Sequence, residues 1–578
     1  MTKILNRFAR PLMLMLALGV AAQPVLAQDR LTQERLAATA ANILSMFDSS
    51  ATGSYMAGQQ ALQDLRTDEA ARYFAQAARD DWGNAILVER AFVGYAADGQ
   101  IGQAAETARH LLDIDENNDL ARLILATEAI KERRYGAAND ELAALGNDTF
   151  TAITGDILRA WALVGAGKAE QADKRMVDLG RDGLADFLVF HRALLAEASG
   201  DTEKALTFAE QAFNTEPNVA RIAEVYARML ANADRFDEAR DVIAQFEAQG
   251  ISHPIVSAVK EAVEARRHPG VFTTSVQTGA AEMYHGIGVA LARDGSLDLG
   301  LVFLRLALYL DPNADVVSLA LGSLLDTADQ REAANEVYNA VPANSIMKPM
   351  AVVRIAQNLD ALGDREEAIR RLSNVVSTQP NDIDAVAVLG DMYRYDEQFA
   401  KAAESYSKAI ELSGGENPTD WRYYYVRGIA YERDKDWPAA EADFLKALEL
   451  NPDQPQVLNY LGYSWIDKDM HLDEALGMIE KAVEAVPQDG FVVDSLGWAF
   501  YKLGRLDEAV ETLEKAVQLQ PNDPELNDHL GDAYWRVGRR LEARFQWNIA
   551  ASVDTEGAVK ERTAVKLAEG LSEDSASR

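Results

Sequence analysis

The chain has 578 residues, 48% hydrophobic and 26% charged, so most of it carries enough apolar material to fold around a core. It contains no cysteine, which excludes disulfides, thiolate metal sites, a cysteine nucleophile and a lipid-modified N-terminal cysteine. Lys and Arg number 57 against 91 Asp and Glu, and the resulting net charge of −34 repels nucleic acid and anionic lipid, because phosphate contact needs clustered cations.

Residues 1–27 have the three parts of a signal peptide. Lys3, Arg7 and Arg10 form a positive start, Leu12–Ala22 is an apolar run too short to span a bilayer, and Val25-Leu26-Ala27 offers small residues at the cleavage positions. The mature chain is therefore expected to begin at Gln28 in the periplasm of a Gram-negative bacterium, where a cysteine-free exported protein is at home. No later stretch approaches twenty apolar residues, so no integral membrane segment is expected in the mature chain. Residues 28–53 are read as a leading segment with a helix over Leu31–Phe47.

A repeat then dominates the chain. In its N-terminal array, residues 54–250, a small residue recurs at Gly58, Ala126, Ala160, Ala193 and Ala227, with Phe92 as the exception in the same register. Each is followed twelve residues later by an alanine: Ala70, Ala104, Ala138, Ala172, Ala205 and Ala239. The register lapses over 251–280, which is read as a joint of one helix (Ile255–Arg267) and a polar stretch from His268 to Gly279. It resumes over 281–555 with Gly288, Gly322, Ala356, Gly390, Gly428, Gly462, Gly497 and Gly531, spaced 34, 34, 34, 38, 34, 35 and 34 apart. Small residues in paired helices allow the two axes to approach closely. Prolines at 312, 380, 452, 487 and 521 fall where each second helix should stop, since proline removes a donor and pushes its predecessor out of the helical region. Residues 556–571 are read as a capping helix, as solenoid arrays need, and 572–578 as a disordered tail.

These segments resemble tetratricopeptide repeats, most clearly at SLGWAFYKLGRLDEAVETLEKAVQLQPND around Gly497. The resemblance implies an all-α fold: a helix-turn-helix solenoid wound as a right-handed superhelix, in two arrays with a short joint. The stretches LNYLGYSWID, VDSLGWAFYKLG and NDHLGDAYWRVGRRLEARFQW further resemble bacterial envelope repeat proteins. That group includes outer-membrane adaptors that deliver substrates to a periplasmic carboxyl-terminal processing protease. It implies a non-enzymatic scaffold in the periplasm, peripheral to the outer membrane, with peptidoglycan synthesis or polysaccharide export as the alternative setting.

No chemistry competes with that reading. The seven histidines form no H-E-x-x-H or i,i+4 pair, so no metal site is suggested. Gly286-Ile287-Gly288 lacks a third glycine, so no nucleotide cofactor is expected. Ser257/Lys260 and Ser405/Lys408 match S-x-x-K without the partner motifs of that nucleophile family. What remains is the concave face. In the family, positions 5, 9 and 12 of each first helix line it, and helical spacing puts those three on one stripe. In the last four units the stripe reads Tyr425, Ile429 and Glu432; Asn459, Tyr463 and Ile466; Asp494, Trp498 and Tyr501; Asp528, Asp532 and Trp535. Aromatics alternating with acids suit other proteins or extended peptides that are basic and partly apolar. The partner-binding groove is accordingly expected at Tyr425, Asn459, Tyr463, Asp494, Trp498, Tyr501, Asp528, Asp532 and Trp535. N-terminal sequencing of the exported protein should begin at Gln28; an intact Met1 would refute the leader.

Overall fold

A computed structural model describes residues 50–79, 81–146, 150–179, 185–555 and 557–571. The leader, the helix expected over Leu31–Phe47 and the tail 572–578 lie outside these. Among the described residues are thirty α-helices, one short 3-10 turn and no strand. The fold is all-α, built of consecutive antiparallel helix pairs. The helices gather into two compact units, one ending at Ala162 and one running from Leu163.

Two devices shape the helix pairs, the first in all fourteen repeats and the second in the eight whose anchor is glycine. The first is a turn. The residue seven after every anchor has a positive φ, in all fourteen repeats from Leu65 to Gly538. Glycine fills this left-handed position in seven repeats. The other seven use Leu65, Arg133, Asp234, Asp329, Glu397, Lys435 and Asp469, and those side chains bear a local strain of ~1–2 kcal/mol each. The turn closes with two backbone bonds, as at Arg505 N to Phe500 O (2.9 Å) and Gly504 N to Tyr501 O (3.1 Å).

The second device is a glycine facing a large side chain sixteen residues on. A Cβ on Gly390 would stand 2.7 Å from the Tyr406 ring, on Gly428 2.7 Å from Phe444, and on Gly497 2.6 Å from Leu513. Gly58 with Phe74, Gly288 with Leu304, Gly322 with Tyr338 and Gly531 with Trp547 repeat the contact. In the Gly462 unit one inserted residue passes the role to Ile479. The partner of the small anchor is therefore this bulky residue, more than the alanine twelve residues on. Phe92 ceases to be an anomaly on these terms. Sixteen residues after it stands Ala108, and both are fully buried, so large and small have exchanged places. The polar tips of the buried rings are bonded: Tyr338 Oη donates to Asp326 and Tyr406 Oη to Asp391, both at 2.7 Å, and Trp547 Nε1 to Asp532 at 2.9 Å.

Second helices end two residues before the marked prolines, at Leu310, Thr378, Leu450, Ala485 and Leu519. The 38-residue spacing before Gly428 contains a short 3-10 turn, Pro418–Asp420, closed by reciprocal bonds between Asn417 and Asp420.

The segment 251–280 lies within the second unit, and the division between compact units falls far before it. Its helix is Pro254–Glu264, and Arg266 takes the left-handed turn that normally leads to a second helix. No second helix follows. The chain instead folds back on earlier first helices: Arg228 Nη1 donates to Pro269 O (2.9 Å), and Thr273 N to Glu197 Oε2 (2.8 Å). The next helix begins at Val276, inside the stretch expected to be irregular up to Gly279, because the Ser275 side chain accepts from Thr278 N and caps it. Arg221 then bridges Glu224 (2.7 Å) and Glu282 (3.2 Å), fastening the returning helix.

Two substitutions test the pair geometry. Gly428→Ala should lower unfolding stability by ~1–3 kcal/mol, the usual cost of overpacking, because the Phe444 ring has to move. Glu397→Gly should raise it by about 0.5–1 kcal/mol, the relieved left-handed strain less the entropy glycine adds to the unfolded chain. Chemical denaturation of the two variants reads both signs.

Candidate functional site

The first helices of the last four units are Trp421–Arg433, Pro455–Asp467, Gly490–Lys502 and Pro524–Arg536. Successive members of the last three touch one another, and the last touches the C-terminal helix Ala558–Glu569. The stripe residues consequently meet those of the neighbouring helix.

The nine expected site residues fall into three groups. Tyr425 and Tyr501 belong to the packing. Tyr425 lies among Trp421, Phe444 and Tyr460 at ring distances of 6.1, 6.2 and 6.0 Å. Tyr501 is buried, and burial together with the nearby Asp532 and Asp528 charges pushes its hydroxyl up to about 12.

The acids form the second group, and the structure buries them rather than leaving them open to a partner. Asp494, Asp528 and Asp532 are 5%, 1% and 6% exposed. Asp528 receives Arg562 Nε at 2.5 Å and Lys566 Nζ at 2.7 Å; Asp532 receives Lys566 Nζ at 2.8 Å as well as the Trp547 ring nitrogen. Arg562 also pairs with Glu525. The cations come from the C-terminal helix. They could have been found by carrying the register past residue 555, because Arg562 and Lys566 stand 34 residues after Asp528 and Asp532. The stripe continues there with its sign reversed. Trp535 shares this end of the site: it lies 5.2 Å from Trp547, and a Cβ on Gly570 would collide with it.

The third group is Asn459, Tyr463 and Trp498, all half-buried. Trp498 is flanked by Tyr501 (4.7 Å, 11° between planes) and His529 (4.1 Å, 19°). His529 was missed because it lies beside the stripe; Asp494 Oδ2 holds its Nδ1 at 2.8 Å. Among the described residues the other oxygen of Asp494 and the side-chain oxygen of Asn459 have no hydrogen-bond partner. Burial raises the Tyr463 hydroxyl pKa, the charges of Asp467, Asp494 and Glu525 raise it further, and Arg562 opposes them in part. The acids outside the last unit that act on Tyr463 are thus Asp467 and Asp494.

Residues 353–417 and 388–455 match the family described as tetratricopeptide repeat, and residues 497–538 that described as TPR repeat. These segments are tetratricopeptide repeats. Among curated proteins, the chain is 28% identical over 194 residues to the TPR repeat-containing protein PA4667 of Pseudomonas aeruginosa, covering 33% of this chain and 32% of that one. It is 24% identical over 200 residues to the human protein O-mannosyl-transferase TMTC1, covering 35% and 22%. The matches thus span a third or less of those relatives' lengths. Among solved structures, Cut9-Hcn1 has a TM-score of 0.39 at 14% identity, covering 90% of this chain and 96% of that one. MamA has a TM-score of 0.26 at 27% identity, covering 29% and 95%. Tetratricopeptide repeats point to protein or peptide partners. Among the described residues no helix is long and apolar enough to cross a membrane.

The Asp494–His529 contact gives a pH test. Burial disfavours the charged imidazole, but Asp494 first, then Asp528 and Asp532, outweigh it, and the pKa of His529 is raised. A raised folded-state pKa contributes stability fully present below the unfolded value of about 6.5 and lost as pH climbs through the folded value. The excess thermal stability of the wild type over His529→Gln should therefore be largest near pH 6 and shrink towards pH 9. An excess that is flat or grows with pH would refute the pairing.

Proposed function

We propose that the chain is a non-enzymatic binding scaffold of the periplasm that holds a basic, partly apolar polypeptide on the inner face of its C-terminal repeats. The observation that carries this reading is the half-buried Trp498, stacked on His529, whose partner Asp494 keeps one oxygen without a hydrogen bond among the described residues. A flat aromatic of this kind loses little side-chain entropy on binding and can act as a hot-spot anchor. The leader supports the location, and the resemblance of the C-terminal repeats to envelope adaptors supports substrate delivery to a carboxyl-terminal processing protease. A scaffold in peptidoglycan synthesis or polysaccharide export uses the same surface. The transferase named in TMTC1 belongs to a protein of which this chain matches 22%.

Trp498→Ala should speed dissociation of the partner, by about 2 kcal/mol at a hot spot, without loosening the C-terminal helix. Trp535→Ala should instead loosen that helix. Co-purification from cell envelopes with mass spectrometry identifies the partners, and surface plasmon resonance measures the rates. A folded Trp498→Ala protein that retains every partner at unchanged rates would overturn the assignment.

A further inference from the structure

The outer side of the last repeat departs from the others. In three earlier units the residues ten and fourteen after the anchor are exposed and charged: Glu332 and Glu336, Glu366 and Arg370, Asp507 and Glu511; where this place holds a large apolar residue, as at Val302, Leu472 and Leu476, it is buried or half-buried. In the helix Arg540–Val553 the same positions hold Leu541 and Phe545, 80% and 66% exposed. They lie one helical turn apart on one face. They border a shallow depression of about 480 Å³ with Tyr534, Glu542, Arg544 and Asn548.

The charge beside them is also unusual. Arg540 lies 3.9 Å and Arg544 5.9 Å from the Trp535 ring centre, and among the described residues neither pairs with a carboxylate. Glu542, the acid between them, is engaged by Arg539 at 3.2 Å. Two arginines without carboxylate partners and two exposed apolar side chains thus share one helix of a chain with net charge −34.

We propose that this face docks an acidic polypeptide segment that brings apolar side chains onto Leu541 and Phe545 and carboxylates onto Arg540 and Arg544. Arginine suits carboxylates because its planar fork can donate to both oxygens, and its stacking on Trp535 holds that fork in place. An anionic membrane is the less favoured occupant, since the charge of the rest of the chain opposes approach to it. The surface is independent of the inner face proposed above.

The test uses the full-length mature protein and a fluorescein-labelled synthetic amphipathic helix with two leucines four residues apart among glutamates. A second peptide replaces every glutamate with lysine. Anisotropy should show binding of the acidic peptide only, weakening with salt. Leu541→Ser with Phe545→Ser should weaken it at least about tenfold while circular dichroism stays unchanged, because both side chains are exposed. Arg540→Ser with Arg544→Ser should weaken it and flatten the salt dependence. Trp498→Ala should leave it unaltered. The proposal is overturned if the wild type fails to bind the acidic peptide, if both peptides bind alike, or if the Leu541/Phe545 variant binds as well as wild type. It is equally overturned if vesicles of equal parts phosphatidylglycerol and phosphatidylethanolamine bind this face and the acidic peptide does not compete.

Discussion

The contact between an anchor glycine and a bulky side chain sixteen or seventeen residues later recurs in seven repeats of the second unit, from Gly288 to Gly531. It fixes how closely a first helix lies against its second helix, and the left-handed turn seven residues after the anchor fixes their relative direction. With both set, the next first helix can only return beside the previous one, one register length along the chain. Residues 34 apart therefore become neighbours across helices. The pairs Asp528–Arg562 and Asp532–Lys566 follow directly from that geometry. A methyl group on an anchor glycine would thus disturb packing locally and ion pairing further away.

What was legible in the sequence was what the repeat makes periodic. Small anchors, alanines twelve on and terminating prolines are local signals, and the all-α architecture follows from them. The left-handed turn was hidden wherever a residue such as Leu65 or Lys435 fills it, because residue identity there no longer reports φ. The bulky partner sixteen residues on was hidden by variety: Phe, Tyr, Leu, Ile and Trp fill one volume equally well. The fold-back after Pro254–Glu264 depends on contacts such as Thr273 with Glu197, which no periodicity encodes. Of the candidate site, the stripe was readable but its exposure was not. Helical spacing places Tyr501 and Asp528 on one face; only the neighbouring helix decides that they are buried.

The acids of the inner face show how a strongly acidic solenoid closes its end. A first helix placed last exposes whatever stripe its predecessor presents, and buried carboxylates there would be costly without partners. The C-terminal helix occupies the register of a further first helix, and with Arg562 and Lys566 it supplies the opposite sign at the stripe positions. It thereby caps apolar surface, with Leu567 and Leu571 against the last core cluster, and neutralises charge in one step. One unit earlier the compensation is incomplete. There the partner is a histidine set one residue off the stripe, and among the described residues one oxygen of Asp494 stays unpaired. Residual negative charge is therefore concentrated beside Trp498 and Tyr463, where Arg562, already engaged by Glu525 and Asp528, offsets it only in part, and that is where a basic partner would gain most.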